Sequence, residues 1–367
     1  MNWLDLSVSK DEYYQSLSLM CIKKDCMIIK RLMHCYHDPI VSLGLMPYYA
    51  LFSKETENYL KKYGVNINVQ NNSPFKIDQT RLKLKQFNDR FSRASKYVAG
   101  LDESQDKLFK ERIWLRFLRR FNIHNNLGIY YYENSIIGNT QLYYSFFQDR
   151  KVIKKKINGN AVNAFGEAMG KVVYTVSQLL IDLPDFYPNI TKKDFDIYYQ
   201  DINTNKKPIF RLEQKTPKSV ALLLLHTLSS INFVRLIIRP IIFSSTWKMR
   251  VMYITMYYAF KQIELIQEKC GDKILNPSLT ACIGSLNPII DSEFRSCMMH
   301  YSFVNNGSYI IEDQYSDIGL PFYGLVESRF NGLSFDDLQY KVNENLDIMA
   351  DSIEKLIILS TNNLKKL

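Results

Sequence analysis

Helix-breaking residues are scarce in this 367-residue chain, which contains 14 glycines and 11 prolines. A β-rich architecture of this length needs many tight turns, and glycine and proline supply most of them. Long helices joined by few loops need far fewer. The chain is also long enough to bury a large apolar core, with 46% hydrophobic and 23% charged residues. The sequence therefore predicts a mainly α fold.

Apolar residues recur at spacings of three and four through much of the first 217 residues, as amphipathic helices require. The pattern is clear from Asp11 to Tyr63. It fails from Pro184 to Pro217, a polar stretch that holds four prolines. We interpret that stretch as an inter-domain segment or a long functional loop. The prediction is a mostly helical N-terminal region, 1–217, followed by a second region, 218–367.

The second region is predicted to contain four helices in succession. The first covers the apolar run from Ser219 to Ile238, the second stops at Gly271, and the third starts near Asp291. The last begins with Ser334 and an aspartate three residues later, which is the spacing of a capping box. Successive helices of this kind are typical of a helical bundle. We therefore expect an antiparallel four-helix bundle at the C-terminus.

The charge of the chain is basic and unevenly distributed. The 47 Lys and Arg residues outnumber the 37 Asp and Glu residues, and the formal net charge is +10. From Asp291 to the end, however, 12 acidic residues outnumber 6 basic ones. A basic body favours a polyanionic partner, nucleic acid first, and the alternative is a surface that only keeps the protein in solution. The predicted RNA-binding residues lie in two basic clusters: Arg116, Arg119, Arg120, Lys154, Lys155 and Lys156.

The six cysteines bear on cellular location and on metal binding. The sequence shows neither a signal peptide nor an uninterrupted apolar run of membrane-spanning length, so we expect a cytoplasmic protein with reduced thiols and no membrane partner. Cys21, Cys26, His34, Cys35 and His37 lie near one another in the sequence, but their spacing fits no zinc site. We predict no metal and no cofactor, and a metal-dependent enzyme built on His34 and His37 is the alternative.

The segment DSEFRSCMMHYSF, from Asp291 to Phe303, holds Arg295 and His300 five residues apart. In metal-free RNA cleavage the 2′-hydroxyl attacks the adjacent phosphate, a base accepts its proton, and an acid protonates the leaving 5′-oxygen. Histidine suits both proton transfers because an unperturbed imidazole titrates at about pH 6.5. Arginine suits the charged phosphorane because its planar fork donates two hydrogen bonds and stays positive.

The spacing of this pair sets a geometric condition. Positions five apart lie roughly 140° apart around an α-helix, so Arg295 and His300 do not share one face of a regular helix. They converge if the helix ends near Met299, or if a second copy of the chain supplies the complementary pair across a twofold axis. On the motif alone, a core histidine next to a surface arginine is the commoner arrangement.

Together with the bundle pattern, the segment FRSCMMHYSF resembles the R-x4-6-H signature of the HEPN superfamily, over roughly residues 218–356. The resemblance implies a metal-independent endoribonuclease that forms a homodimer through the C-terminal bundle. It implies the toxic effector of a bacterial anti-phage defence or toxin–antitoxin system, with RNA as substrate and a protein antitoxin or regulatory subunit as partner. Arg295 and His300 match the signature. Ser296, which stands where relatives usually carry Asn or Asp, and Tyr301 complete the predicted catalytic set, and Glu264 is a candidate assisting residue.

The main alternative is a non-catalytic helical subunit of a defence complex that binds nucleic acid or protein. Many HEPN-like domains have lost catalysis and serve as scaffolds, and the C-terminal bundle would then be a dimerisation or docking module. Incubation with RNA in the presence of EDTA separates the two interpretations. The nuclease interpretation predicts cleavage under these conditions, whereas the alternative predicts binding without cleavage.

Overall fold

The computed structural model of the chain describes residues 8–67, 73–88, 90–110, 125–148, 159–184, 186–206, 208–212, 216–243, 245–271, 280, 284, 287–305, 307–359 and 364–367. The protein is 66% helical, so the prediction of a mainly α fold is confirmed. It also contains a four-stranded antiparallel sheet, which the sequence patterns did not predict.

Two long helices come first, α1 (Lys10–Cys35) and α2 (Pro39–Lys62). Ser9 and Glu12 form a capping box at the start of α1, in which each side chain accepts a hydrogen bond from the other residue's backbone N–H. The side chain of Asp38 accepts hydrogen bonds from two N–H groups in the first turn of α2. These caps fix where both helices begin.

Shorter helical elements follow. Helix α3 (Ile77–Leu82) runs directly into a 3-10 helix (Lys83–Asn88), and α4 (Phe91–Lys110) comes next. Further along the chain are α5 (Thr140–Phe146) and α6 (Gly159–Leu179).

Six short strands are described: β1 (Leu127–Tyr132), β2 (Ser135–Asn139), β3 (Tyr198–Ile202), β4 (Val304–Asn305), β5 (Ser308–Tyr309) and β6 (Lys365–Lys366). Strands β4 and β5 pair with each other, and the remaining four form the antiparallel sheet in the order β2-β1-β3-β6. Glu133 and Asn134 make the turn between β1 and β2 with φ of 50° and 65°. Two successive left-handed residues are what a two-residue hairpin turn requires.

Helix α7 (Lys218–Asn232) is strongly apolar, continues through a π-helical turn (Phe233–Ile238) and reaches Ile241. Pro240 lacks the backbone N–H that an α-helical hydrogen bond requires, which accounts for the change of winding just before it. Of the helices described, this one alone has the length and composition to cross a membrane, and 78% of its most apolar part is buried inside the protein. It is therefore a core helix of the fold.

The last four helices are α8 (Thr246–Cys270), α9 (Ser292–His300), α10 (Leu325–Arg329) and α11 (Phe335–Glu354). Helices α7, α8 and α11 pack against one another, and α9 packs against α8. The predicted cap of the final helix is confirmed, since the Ser334 side chain accepts a hydrogen bond from the N–H of Asp337.

The N-terminal and C-terminal regions are packed together. Helix α8 contacts α1 and the 3-10 helix, and α9 contacts α2. At Gly44 of α2, an added Cβ would lie 2.2 Å from the ring of Phe233, so the absence of a side chain permits this close approach. The division at residue 217 stays a prediction, and the described residues on its two sides belong to one apolar core.

Candidate functional site

Helix α9 carries the two residues of the R-x4-H motif near opposite ends. The side chain of Asp291 caps its N-terminus by accepting a hydrogen bond from the N–H of Phe294. The helix ends at His300, one residue beyond Met299, and Tyr301 follows with a left-handed φ of 54°. One face of α9 is buried in the core, whereas Arg295 and His300 are half-buried at its edges.

The imidazole of His300 is held by a buried carboxylate from α2. Its Nδ1 lies 2.7 Å from Oε2 of Glu55. The His300 side chain keeps 38% of its surface exposed, whereas that of Glu55 keeps 3%. The imidazole is therefore fixed on one side by the protein and open to solvent on the other.

The charge of Glu55 is set by its neighbours. Burial acts to raise its pKa, but the hydrogen bond and charge of His300, with the nearby positive charges of Arg81 and Lys85, lower the pKa overall. Arg81 of α3 also forms an ion pair with the other carboxylate oxygen. Because an ionised carboxylate only accepts hydrogen bonds, Nδ1 of His300 donates to it. Whenever the imidazole is neutral, this hydrogen bond leaves the Nε2 lone pair directed away from Glu55.

Arg295 has a cationic side chain without a carboxylate partner among the residues that the structure describes. Its guanidinium carbon lies 5.3 Å from the ring centre of Tyr257 on α8, a cation–π arrangement. Its Nε is buried and has no hydrogen-bond partner in the described structure. Next to it, burial raises the pKa of Tyr258 to about 12, although the positive charges of Arg295 and Arg81 oppose that rise.

Lys85, in the 3-10 helix, lies within the electrostatic reach of both arginines. Its half-buried position lowers its pKa first through desolvation, and then through the positive charges of Arg81 and Arg295. The nearby carboxylate of Glu55 opposes this shift only in part. A lysine in such surroundings gains stabilisation when an anion approaches.

We name Arg81, Lys85, Arg295 and His300, with Glu55 among them, the basic cluster. Its members come from α2, α3, the 3-10 helix and α9, which are distant in sequence and meet only in the folded chain. The cluster places a half-exposed imidazole and the guanidinium of Arg81 on the same carboxylate, while Lys85 and Arg295 form no ion pair with any residue that the structure describes. Such an arrangement can bind an anion and move a proton beside it.

Tyr301 lies in a separate, buried network and not in the basic cluster. It is 2% exposed, and its hydroxyl donates a hydrogen bond of 2.7 Å to Oδ2 of Asp25. The same oxygen accepts from Nε of Arg250 at 2.8 Å. Arg250 also donates to the carbonyl oxygens of Cys297 and Met298 in the last turn of α9. This network anchors the C-terminal end of α9, so Tyr301 supports the helix from inside the core.

The ion pair between Asp25 and Arg250, which lies behind α9, is buried. Burial raises the pKa of Asp25, while Arg250 and the hydroxyl of Tyr301 act to lower it. The guanidinium of Arg250 also stacks on the Tyr301 ring, 4.2 Å from its centre. Asp25, Arg250 and Tyr301 therefore form one buried unit. Because His300 directly precedes Tyr301 in the chain, this unit fixes the position of His300.

The remaining predicted site residues have different outcomes. Ser296 is half-buried on α9, next to Arg295. Glu264 of α8 forms an ion pair with Lys261 at 2.9 Å and not with the motif. The six predicted RNA-binding residues lie outside the described part of the chain: Arg116, Arg119, Arg120, Lys154, Lys155 and Lys156.

The cysteine and histidine residues considered for metal binding are all described. Burial raises the pKa of the Cys21 and Cys26 thiols to about 12, and Cys26 Sγ donates to the carbonyl oxygen of Val173. His34 and His37 are exposed. Within the described ranges, no three His, Cys, Asp or Glu side chains are grouped so as to hold a metal ion.

Three members of the basic cluster were not predicted from the sequence: Glu55, Arg81 and Lys85. A signal existed for Glu55, because it lies on the buried face of α2, three residues after Phe52 and four before Tyr59. A carboxylate on an apolar helix face is rarely tolerated without a partner. Its partner, His300, however, lies 245 residues further along the sequence, so no local pattern identifies it.

Comparison of the chain with models of known protein families, with curated proteins and with solved structures gave no match.

Proposed function

We propose that the protein is a metal-independent endoribonuclease in which Arg295 and His300 act on the scissile phosphodiester. The observation that carries this proposal is the half-exposed imidazole of His300, oriented by buried Glu55 within a group of incompletely neutralised cations. A histidine that served only packing would not need a buried carboxylate aimed at its Nδ1. The same carboxylate–imidazole arrangement fixes the tautomer in enzymes that use histidine for proton transfer.

The proposed reaction uses the atoms of the RNA itself as nucleophile and leaving group. Nε2 of His300 accepts the proton of the 2′-hydroxyl, and the 2′-oxygen forms a bond to the adjacent phosphorus. The bond from phosphorus to the 5′-oxygen breaks, and that oxygen takes a proton from an imidazolium. The products are a 2′,3′-cyclic phosphate and a 5′-hydroxyl. Arg295 donates two hydrogen bonds to the phosphoryl oxygens as charge develops on them.

A homodimer through the C-terminal helices is part of the proposal. One imidazole cannot be both deprotonated base and protonated acid at the same instant, so two copies of His300 across a twofold axis would divide the roles. The packing of α7, α8, α9 and α11 is compatible with a HEPN-like bundle. The resemblance of FRSCMMHYSF to the HEPN signature supports the assignment of the fold family and of the dimer.

The biological setting follows from the same resemblance. We propose a cytoplasmic toxic effector of a bacterial anti-phage or toxin–antitoxin system, restrained by a protein antitoxin or regulatory subunit. The net charge of +10 supports a polyanionic substrate. Its proposed contacts outside the basic cluster are the six predicted RNA-binding residues: Arg116, Arg119, Arg120, Lys154, Lys155 and Lys156.

The test is cleavage of end-labelled RNA in EDTA by the wild type and by His300→Ala. The wild type should cut, and His300→Ala should lose cleavage while keeping the circular dichroism spectrum of a folded protein. Its unfolding midpoint should fall moderately, because the buried carboxylate of Glu55 loses one partner. A His300→Ala protein that cuts like the wild type would falsify the assignment.

A binding protein without catalysis is the second candidate, and one observation favours it. Tyr301, one of the predicted catalytic residues, is buried and hydrogen-bonded to Asp25. Among the described residues of the basic cluster, His300 is therefore the one group suited to proton transfer, whereas cleavage needs both a base and an acid. The binding candidate predicts that RNA is retained, uncut, in the same EDTA experiment.

A further inference from the structure

A cleft at the start of α7 shares no residue with the basic cluster, and we name it the α7 cleft. Its walls come from residues 204–212, from the first turn of α7 and from Ile358, which follows α11. Backbone hydrogen bonds hold two of these walls together: Arg211 N–H donates to the carbonyl oxygen of Leu356 at 2.6 Å, and Ile358 N–H donates to that of Ile209 at 3.0 Å. The cleft has a volume of about 620 Å³, which is the size of a small-molecule site.

Three cationic side chains line the α7 cleft: Lys206, Arg211 and Lys218. Lys206 and Arg211 are exposed, and neither forms an ion pair with a residue that the structure describes. Among the described residues that line the cleft there is no Asp or Glu. A cleft lined by charges of one sign attracts ions of the other sign, so its ligand is an anion.

Lys218 is held in place from inside the protein. Its ammonium group donates to Oδ2 of Asp102 on α4 and, at 2.7 Å, to Oδ1 of Asn205. The other carboxylate oxygen of Asp102 accepts hydrogen bonds from Gln141 at 2.8 Å and from Thr204 at 3.2 Å. The Lys218 side chain still keeps 35% of its surface exposed. Lys218 is therefore a fixed donor at the cleft wall, and Asp102 matches its charge.

The two cations without a carboxylate partner and the apolar lining define the ligand. Much of the remaining lining is apolar, including Phe210, Leu222 and Ile358. The ligand therefore combines an anionic group with an apolar body. A phosphate monoester carries a charge of about −1.5 to −2 at pH 7, which matches Lys206 and Arg211 together, whereas a carboxylate carries one charge. Arginine also donates two parallel hydrogen bonds to phosphate oxygens.

We propose that the α7 cleft binds a small phosphate monoester with an apolar body, with the phosphate at Arg211, Lys206 and Lys218. The apolar body lies against Phe210, Leu222 and Ile358. This site is separate from the one assigned to RNA cleavage, and the proposal does not depend on that activity.

The first experiment is a calorimetric titration of the full chain with phenyl phosphate, benzoate and inorganic phosphate at constant ionic strength. The wild type should bind phenyl phosphate more tightly than either of the other two. Arg211→Gln should weaken phenyl phosphate binding roughly 10-fold or more, because hydrogen bonds to charged groups are the strong ones. Arg31→Gln, which removes an exposed arginine from α1, is the matched control and should bind like the wild type.

Two results of this titration overturn the proposal. One is the absence of phenyl phosphate binding, or equal affinity of Arg211→Gln and Arg31→Gln for it. The other is benzoate that binds as tightly as phenyl phosphate, because the second charge would then have no role.

A second experiment tests the apolar part of the cleft. Ala221 lines it from α7 and is half-buried, so Ala221→Leu narrows the space beside Leu222 while keeping a residue that favours helix. This variant should lose more affinity for phenyl phosphate than for inorganic phosphate. Equal affinity of Ala221→Leu and the wild type for phenyl phosphate would place the ligand outside the α7 cleft.

Discussion

Replacing Glu55 with glutamine removes the charge that orients His300 and changes little else in shape. The side chain is 3% exposed and contacts both His300 and Arg81. Glutamine has a neutral carbonyl oxygen and an NH2 group, so it can present the imidazole with either an acceptor or a donor. The tautomer of His300 is then no longer fixed, and Arg81 loses its carboxylate.

The expected loss of activity follows from these contacts. Partners that orient a functional histidine through its second nitrogen contribute roughly 10- to 100-fold. That range corresponds to about 1.4–2.7 kcal/mol of transition-state stabilisation. The free energy of unfolding should also fall, by about 1–3 kcal/mol. The reason is that the guanidinium of Arg81 exchanges a charged carboxylate for a neutral amide as its partner.

The assay is kcat/KM for RNA cleavage in EDTA, measured on protein shown to be folded, together with urea unfolding. Glu57→Gln is the matched control, because Glu57 lies two residues further along α2 in a half-exposed pair with Lys54, with 44% of the Glu57 side chain accessible. Exposed pairs of this kind contribute little, so both activity and stability should stay near wild type. Equal activity of Glu55→Gln and Glu57→Gln would refute the role of Glu55 in positioning His300.

Three further predictions concern stability. Tyr301→Phe should lower the unfolding free energy by about 1.5–3 kcal/mol, because it removes a hydrogen bond to the buried charge of Asp25. Under the proposed function, the folded variant should still cleave RNA. The pKa of Glu55 in the folded protein lies below its ordinary value of 4.5, so the ionised carboxylate stabilises the fold above that pH. This contribution is lost as the pH falls through the lowered pKa. The difference in unfolding free energy between wild type and Glu55→Gln, measured by urea unfolding, should therefore shrink as the pH falls below 4.5. Gly44→Ala should destabilise by about 1–3 kcal/mol, measured by urea unfolding, because the new methyl group overlaps the ring of Phe233.

Helical structure was predictable where local signals agree with tertiary packing. The cap at Ser334 and the regular spacing of apolar residues after it define α11, and the structure has this helix from Phe335 to Glu354. The glycine at position 271 ends α8, as expected from a residue that tolerates positive φ. In these segments the hydrophobic period alone determines which face is buried.

The sheet was not predictable from the same rules. Strand β1 is almost entirely buried, so it lacks the alternation of polar and apolar residues that marks a half-exposed strand. Its second neighbour, β3, pairs with it from residues about seventy positions further along the chain, within the polar stretch interpreted as a linker. Pairing over such a distance leaves no local signal in the sequence.

The candidate site was predictable only in the part that one helix contributes. Arg295 and His300 lie in one segment, and their chemistry suggested the motif. Glu55 and Lys85 approach them through contacts between α9, α2 and neighbouring elements. The same limit explains Tyr301, because a tyrosine beside a motif histidine has the same local pattern whether it faces substrate or the buried Asp25.

The most direct test of the account is the chemical identity of the RNA ends after cleavage in EDTA by the wild-type protein. Attack by the 2′-hydroxyl predicts a 2′,3′-cyclic phosphate on one fragment and a 5′-hydroxyl on the other, and a substrate with 2′-deoxyribose at the scissile position should stay intact. Fragments that carry a 5′-phosphate and a 3′-hydroxyl, or cleavage that requires added metal, would contradict the mechanism assigned to Arg295 and His300.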